Sequence, residues 1–467
     1  MLLQALQYLQ GNLNASTIIH GAWALILPLT LGLVVGIRNG NAQTTRRQLR
    51  HLRNIGLPTS NMADQYDPKY AKPEGTEIDG PIRIKAIYLH PVKSCGPVEV
   101  NRALLTKSGF MYDRCFALAT EVKNPESGTK WRFISQRTKP YMSLVKTEIW
   151  LPHKDSDPNE PLVQTGGCVV ITFPDPDTPT WTSRLGTVFD GRTLSKSTET
   201  SFIVPLKPTP AQIKKFGLQL KSFTIHARDA EGLDMGKIPS VATGLSKLRR
   251  FLRIPEHEGF KLLKCTPDTL ARTDKNLAPL KYIGSPAVHG YTDQQPVNIN
   301  SLASIHAVSA MLPEENQPLN GLRFRANIWI TGAPAFEEET WKRYRVLQKN
   351  AVNEPRAPVT PTLSVVCRTS RCTIPNVDPN QGAFDTDIPP PDKKKGKPQP
   401  STTLVKNRTV ETGNKAALGY IGMHCVPEDR SLAEAEGQEP GLFVEVGDEI
   451  DILERGEHLY GSTWNEY

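Results

Sequence analysis

From Ile82 to Lys85 apolar and polar residues alternate at period two, and Ala86, Ile87 and Tyr88 continue the run. That alternation predicts a half-buried strand. Similar short runs recur at 116–119, 143–150, 168–173, 223–226, 327–331, 363–367 and 443–453, with Pro, Gly and Asp between them. Short strands at this spacing build barrels or sandwiches. Helical patterns are fewer, at 209–216, 241–252 and 300–312. The stretch 244–252 is amphipathic and basic, which predicts a helix packed on a sheet with Lys247, Arg249 and Arg250 solvated.

With 467 residues the chain holds two or three domains. A hydrophobic fraction of 38% and a charged fraction of 22% exclude a polytopic membrane protein. The net charge of +8 suits anionic ligands or membranes and falls short of a nucleic-acid-binding composition, so no nucleic acid partner is expected. The cysteines are seven, odd in number and scattered, which predicts a reduced compartment rather than a disulfide scaffold.

The first 54 residues read as a separate segment. Residues 17–37 are apolar and free of Lys, Arg, Asp and Glu, long enough to cross a bilayer as a helix. No charge precedes them, whereas Arg38, Arg46, Arg47, Arg50 and Arg53 follow; the positive-inside rule then places the body in the cytosol. A cleaved secretory signal is the alternative, but the segment lacks a basic leader. Residues 55–80 read as a linker, and the Pro/Lys-rich insert 386–416 as a disordered surface loop.

Four clusters could do chemistry. His90-Pro91-Val92-Lys93-Ser94-Cys95-Gly96 follows the first strand and suits an oxyanion, though without the glycine spacing of a Walker loop. At 109–114, Arg114 either pairs with Asp113 or offers its planar fork to a phosphate or a pterin ring. Tyr291-Thr292-Asp293-Gln294-Gln295-Pro296 and Phe324-Arg325-Ala326-Asn327 offer a carboxylate, amides and a guanidinium for the edges of a heterocycle; an ordinary loop and strand start is the alternative. In the fourth, Cys367 and Cys372 flank Arg368 and Arg371. Neighbouring cations favour the thiolate, which is the nucleophile and soft-metal ligand, while plain burial is the common fate of a strand cysteine. Zinc is disfavoured, because no second ligand pair lies near and His424-Cys425 is remote.

In this order, PVKSC, G-x-x-x-DR, Asp-x-x-Pro, FRANIWITG and SRCTIPNVDPNQG closely resemble the MOSC family, in particular its membrane-anchored amidoxime-reducing branch. The resemblance runs from Pro81 to the strand at 443–453. It implies a mainly β, α+β chain: a MOSC N-terminal β-barrel-like domain over 81–228, a MOSC β-barrel domain over 229–455, a tail at 456–467 and a transmembrane helix in front. It further implies a molybdenum–molybdopterin cofactor ligated by Cys372. Lys93, Ser94, Arg114, Asp293, Gln295, Arg325, Ser370, Arg371 and His424 are then expected around its phosphate and pterin. His424 stands where the family usually has a Tyr, and Gln294-Gln295 where relatives carry small hydroxylated residues.

The activity implied is two-electron reduction of N-hydroxylated compounds such as amidoximes, hydroxylamines and N-oxides. The chain has neither a dinucleotide fingerprint nor a ferredoxin cysteine set, so electrons are expected from outside. Family precedent is cytochrome b5 with its NADH-dependent reductase, on the mitochondrial outer membrane. A non-catalytic cofactor carrier and a sulfur-transfer protein are the alternatives. The second needs a pyridoxal-phosphate domain, for which too little chain remains, although pyridoxal phosphate binding is a term common in the family.

Overall fold

The structure, a computed structural model, describes residues 23–24, 26–30, 47–124, 128–177, 199–273, 278–349, 359–389, 391–411 and 418–458. The fold is mainly β, with two closed sheets and a few helices.

Strand β1 (Ile82–Leu89) alternates buried and half-buried residues up to Lys85, then is buried at every position. The chain next builds a small barrel from β2 (Phe116–Asn124), β3 (Gly128–Phe133), β4 (Leu220–Ile225), β5 (Arg228–Asp234) and β6 (Phe260–Lys264). The larger sheet adds β7 (Val297–Ser301), β8 (Ile328–Thr331), β9 (Trp341–Leu347), β10 (Thr362–Arg371), β11 (Gly419–Pro427) and β12 (Glu449–Arg455) to β1. Their order is β8-β7-β11-β10-β9-β12-β1. Because β1 pairs with both β12 and β8, this sheet closes on itself, and closure leaves those strands no open edge. Trp329, Trp341 and Tyr344 are fully buried in its walls.

A four-stranded antiparallel sheet (Leu52–Asn54, Lys146–Pro152, Cys168–Pro174 and Glu199–Pro205) carries helix α1 (Pro239–Phe251). Val241, Gly244, Leu245 and Leu248 form the buried stripe of α1. Gly244 allows the close approach, since a Cβ there would stand 2.2 Å from the Phe202 ring. The basic side chains of α1 are paired rather than solvated. Lys247 meets Asp175 at 2.9 Å, Arg250 meets Asp177 at 3.0 Å, and Arg249 donates to three carbonyls between Pro255 and Glu258.

Several expectations change. β4 and β5 form a hairpin around residue 228, and β1 joins a sheet whose other strands, the short Val98–Val100 aside, start at Val297, so the two halves interleave. Residues 55–80 do not run free: Met62 is buried against Ala86, Tyr88 and Trp329, and Asn61 N donates to Glu99 Oε1 at 2.7 Å; ahead of them Leu52–Asn54 pairs with Lys146–Pro152. The insert is not disordered over its described part, where helix α2 (Ser401–Asn407) buries Thr403 and Leu404. Its apolar residues, few as they are, find a neighbouring core.

The expected span 17–37 lies mostly outside the described residues; within it Trp23, Ala24 and residues 26–30 are helical and exposed. Among the described residues no helix is long and apolar enough to cross a membrane.

Candidate cofactor site

Both barrels contribute to one cavity of about 470 Å³. Its wall includes all ten residues singled out in the sequence: Lys93, Ser94, Arg114, Asp293, Gln295, Arg325, Ser370, Arg371, Cys372 and His424.

The turn after β1 fixes the first group. Lys93 N donates to Phe116 O at 2.8 Å and Gly96 N to Val145 O at 2.7 Å. A Cβ on Gly96 would stand 2.8 Å from that oxygen, so the turn needs glycine. Lys93 is buried; its ammonium donates to Tyr291 O at 2.9 Å and pairs with the Asp293 carboxylate. Burial lowers the Lys93 pKa against the pull of Asp293. Burial would raise that of Asp293, yet Lys93 and His226 hold the carboxyl well below its usual range.

Arg114 bonds Asp113 through Nη1 at 2.6 Å and the Arg325 carbonyl through Nη2 at 2.8 Å. Arg325 Nη1 reaches Cys95 O at 2.8 Å, while its buried Nη2 has no partner. Burial, with Arg114 beside it, pushes Arg325 down to about 10. Arg371, at the end of β10, donates from Nε to Ile421 O at 2.8 Å and from Nη1 to Phe324 O at 2.9 Å. Burial pushes it down to about 9. Arg325 and Arg371 are half-buried, and withdrawing cationic groups from water is costly unless an anion faces them.

Backbone strain concentrates here. Ser94, Arg114, His226 and Arg325 have φ of 68°, 45°, 54° and 55°, and all four line the cavity. Non-glycine residues in this region cost about 1 kcal/mol each and gather where side chains must be aimed.

The two cysteines part company. Cys367 is fully buried with Ala278, Ile283, Ala287 and Val426. Cys372, one residue past β10, is exposed in the cavity wall, its Sγ accepting from Ile374 N at 3.5 Å. No disulfide joins the seven cysteines. Arg368 does not flank the site but pairs with Glu339 at 2.7 Å and Glu411 at 3.2 Å. His424, on the buried strand β11, leaves Nδ1 without a partner; burial and Arg371 push its pKa to about 3, so the ring is neutral.

Sequence reasoning missed Arg137, His226, Asn298 and Arg323. Arg137 Nη2 faces His226 Nδ1 at 2.9 Å, and His226 Nε2 faces Asp293 Oδ1 at 2.9 Å. An arginine only donates, so Nδ1 accepts and the Nε2 proton goes to Asp293. Asn298 Nδ2 donates to Thr369 Oγ1 at 2.6 Å, tying β7 to β10. These residues stand alone or in weak contexts in the sequence, and their convergence is a product of the fold.

Among the described residues no three His, Cys, Asp or Glu side chains converge on a metal position. The wall offers instead one accessible thiol, buried cations, an orphaned guanidinium nitrogen and an orphaned imidazole nitrogen. That donor set fits an anionic, many-edged heterocycle bearing a soft metal whose remaining ligands are its own.

Residues 286–451 match the MOSC domain family, and residues 81–179 match the MOSC N-terminal beta barrel domain. The chain is a MOSC-domain protein. The MOSC match holds Asp293, Gln295, Arg325, Ser370, Arg371, Cys372 and His424, and the N-terminal match holds Lys93, Ser94 and Arg114. His226 lies in neither. Similar curated proteins are the mitochondrial amidoxime reducing component 2 of Homo sapiens, 21% identical, and of Macaca fascicularis, 22% identical. Each alignment covers 66% of this chain and 70% of the relative. The counterpart of Bos taurus is 21% identical over 66% of this chain and 69% of its own length.

Proposed function

We propose that this MOSC chain is a molybdenum-cofactor-dependent reductase of N-hydroxylated compounds. The observation that carries the reading is the single exposed thiol, Cys372, set in a cavity wall with Lys93, Arg114, Arg325 and Arg371. Bound there, a molybdenum pterin would supply two-electron chemistry that removes the oxygen of an N–O bond. Cys372 would hold the metal. Lys93, Ser94 and Arg114 would hold the phosphate, and Asp293 and Arg325 the pterin edge. Neutral His424 would offer a hydrogen bond rather than a charge to whatever approaches the metal.

Each turnover consumes two electrons and two protons and releases one water. A protein partner supplies the electrons, with cytochrome b5 and its NADH reductase as the proposed chain. The proposed setting is the mitochondrial outer membrane, with 17–37 as anchor and the body in the cytosol.

Elemental analysis for molybdenum, with pterin fluorescence and a benzamidoxime assay on a chemical reductant, tests the reading. Wild type should carry metal and turn over, and Cys372→Ala should lose both. Metal without turnover would mark a cofactor carrier; metal-free native protein would end the proposal.

A further inference from the structure

Six cations line the cavity, Lys93, Arg114, Arg137, Arg323, Arg325 and Arg371, against the single carboxylate of Asp293. Three of them are met by carboxylates: Lys93 by Asp293, Arg114 by Asp113 at 2.6 Å and Arg323 by Asp385 at 3.0 Å. In the reading above Arg325 serves the pterin edge, and Arg371 stands next in sequence to Cys372. Arg137 has neither use.

A cation without a carboxylate is ordinary on an open surface, where water solvates it. Arg137 is instead half-buried in the wall of a cavity, four residues past β3. Its Nη2 faces His226 Nδ1 at 2.9 Å and its Nε reaches Ser135 Oγ at 3.5 Å, while Nη1 has no acceptor among the described residues. Both acceptors are neutral, so the guanidinium keeps its full charge and an unused arm of its fork. The imidazole that aims it is itself fixed. His226 occupies the turn of the β4–β5 hairpin at a φ of 54°, its ring edge-on to Phe133 at 4.8 Å and its Nε2 on Asp293. A planar fork held in this way is a receptor for a carboxylate, which it can bind through two parallel bonds.

The wall around the thiol is apolar. Ile374, whose N donates to Cys372 Sγ, is followed by Pro375, and Phe324 and Leu418 line the same cavity. Apolar lining with a few fixed polar groups takes a largely apolar molecule and orients it by those groups.

We infer that the cavity selects N-hydroxylated substrates that join an apolar or aromatic body to a carboxylate, and that Arg137, set by His226, binds the carboxylate. The inference rests on the reductase reading above and names its substrate class. The carboxylate takes no part in cleavage of the N–O bond; its contact orients the molecule. A substrate carboxylate is favoured over a second anchor for the cofactor, because Arg137 is separated from Asp293 and Lys93 by the width of the imidazole ring.

The test compares full-length wild type with Arg137→Gln and Arg137→Lys on two probes, benzamidoxime and benzamidoxime bearing a para carboxylate. Reduced viologen supplies the electrons, and rates are taken per bound molybdenum. Wild type should prefer the carboxylated probe in kcat/KM. Arg137→Gln should lower that preference about tenfold, through KM rather than kcat, and Arg137→Lys, which keeps the charge without the fork, should lower it less. The preference is a ratio, so a loss common to both probes cancels. Equal treatment of the two probes by wild type, or the same ratio in Arg137→Gln, would overturn the inference; an unchanged ratio with less bound molybdenum would place Arg137 on the cofactor instead. Wild type that is inert on both probes would end the reductase reading. Calorimetric titration with the carboxylated probe would then still decide the subsite: binding about tenfold weaker in Arg137→Gln supports it, and equal or absent binding overturns it.

Discussion

The Arg114 guanidinium donates from Nη2 to the backbone carbonyl of Arg325 at 2.8 Å, and both residues have positive φ, 45° and 55°. Two arginines far apart in sequence are thus locked into one wall, each with a backbone that an L-residue adopts reluctantly. The lock is costly to the fold and is explained by what the guanidiniums face, the cavity.

Arg325→Gly separates these roles. Glycine accepts the positive φ freely, which recovers about 1 kcal/mol, and the lost Nη1 bond to Cys95 O costs about the same. Unfolding free energy should therefore stay within about 1 kcal/mol of wild type. Molybdenum content per protein should fall about tenfold, as expected for one lost charge-assisted contact. Denaturant melts and elemental analysis read the two effects.

The two cysteines predict opposite phenotypes. Cys372→Ser should leave the melting curve alone, since the side chain is exposed, and abolish metal retention. Cys367→Ala should keep the metal and cost about 1 kcal/mol of stability, because it opens space in a packed apolar cluster. The reverse pattern would identify Cys367 as the ligand.

Asp293 is held by Lys93 and by the His226 Nε2 proton. Asp293→Asn removes the charge that offsets a buried ammonium and should destabilise the fold by about 1–3 kcal/mol. His226→Gln keeps a donor and should retain most cofactor, whereas His226→Ala should lose it. Equal retention in the two His226 variants would leave the imidazole no positioning role.

Glu338 gives a pH dependence outside the cavity. Burial, with Glu339 beside it, raises its pKa from 4.5 to about 7. The folded state therefore binds a proton that the unfolded state releases. Stability from this group is full below pH 4.5 and is lost as pH rises through about 7. Glu338→Gln should lack that loss. Melting both proteins between pH 5 and pH 8, the difference should grow toward pH 8 by about 2–3 kcal/mol.

Much of the site was legible because its residues sit in contiguous motifs: Lys93 and Ser94 in one turn, Ser370 to Cys372 at one strand end. The alternation from Ile82 to Lys85 revealed β1, which keeps one face half-buried there. Strand β11 gave no such signal, since all of Gly419–Pro427 is buried and shows no period two. The run at 443–453 breaks at Gly447, whose φ of 90° turns the chain between Phe443–Glu445 and Glu449–Arg455. The Arg137–His226–Asp293 chain was invisible because its members, about 70–90 residues apart, meet only when the small barrel closes beside the large one.

The segment ahead of β1 carries the last prediction. Leu49 and Leu52 pack with Cys168, Val170 and Ile203, and Met62 is buried in a second cluster. Asn61 N donates to Glu99 Oε1 at 2.7 Å, Lys85 pairs with Asp64 at 2.9 Å, and Gly321 N donates to Gln65 Oε1 at 2.8 Å. Removing residues 1–46 touches none of these contacts and should leave the denaturation midpoint unchanged. Removing residues 1–80 strips the Met62 side chain, worth about 2–5 kcal/mol by itself, and strands the partners of Asn61, Asp64 and Gln65. The longer truncation should therefore unfold at markedly lower denaturant, and Met62→Ala in the full chain should reproduce part of the shift. Identical midpoints for the two truncations would mean that the contacts of residues 47–80 add nothing to stability and that 55–80 is a linker.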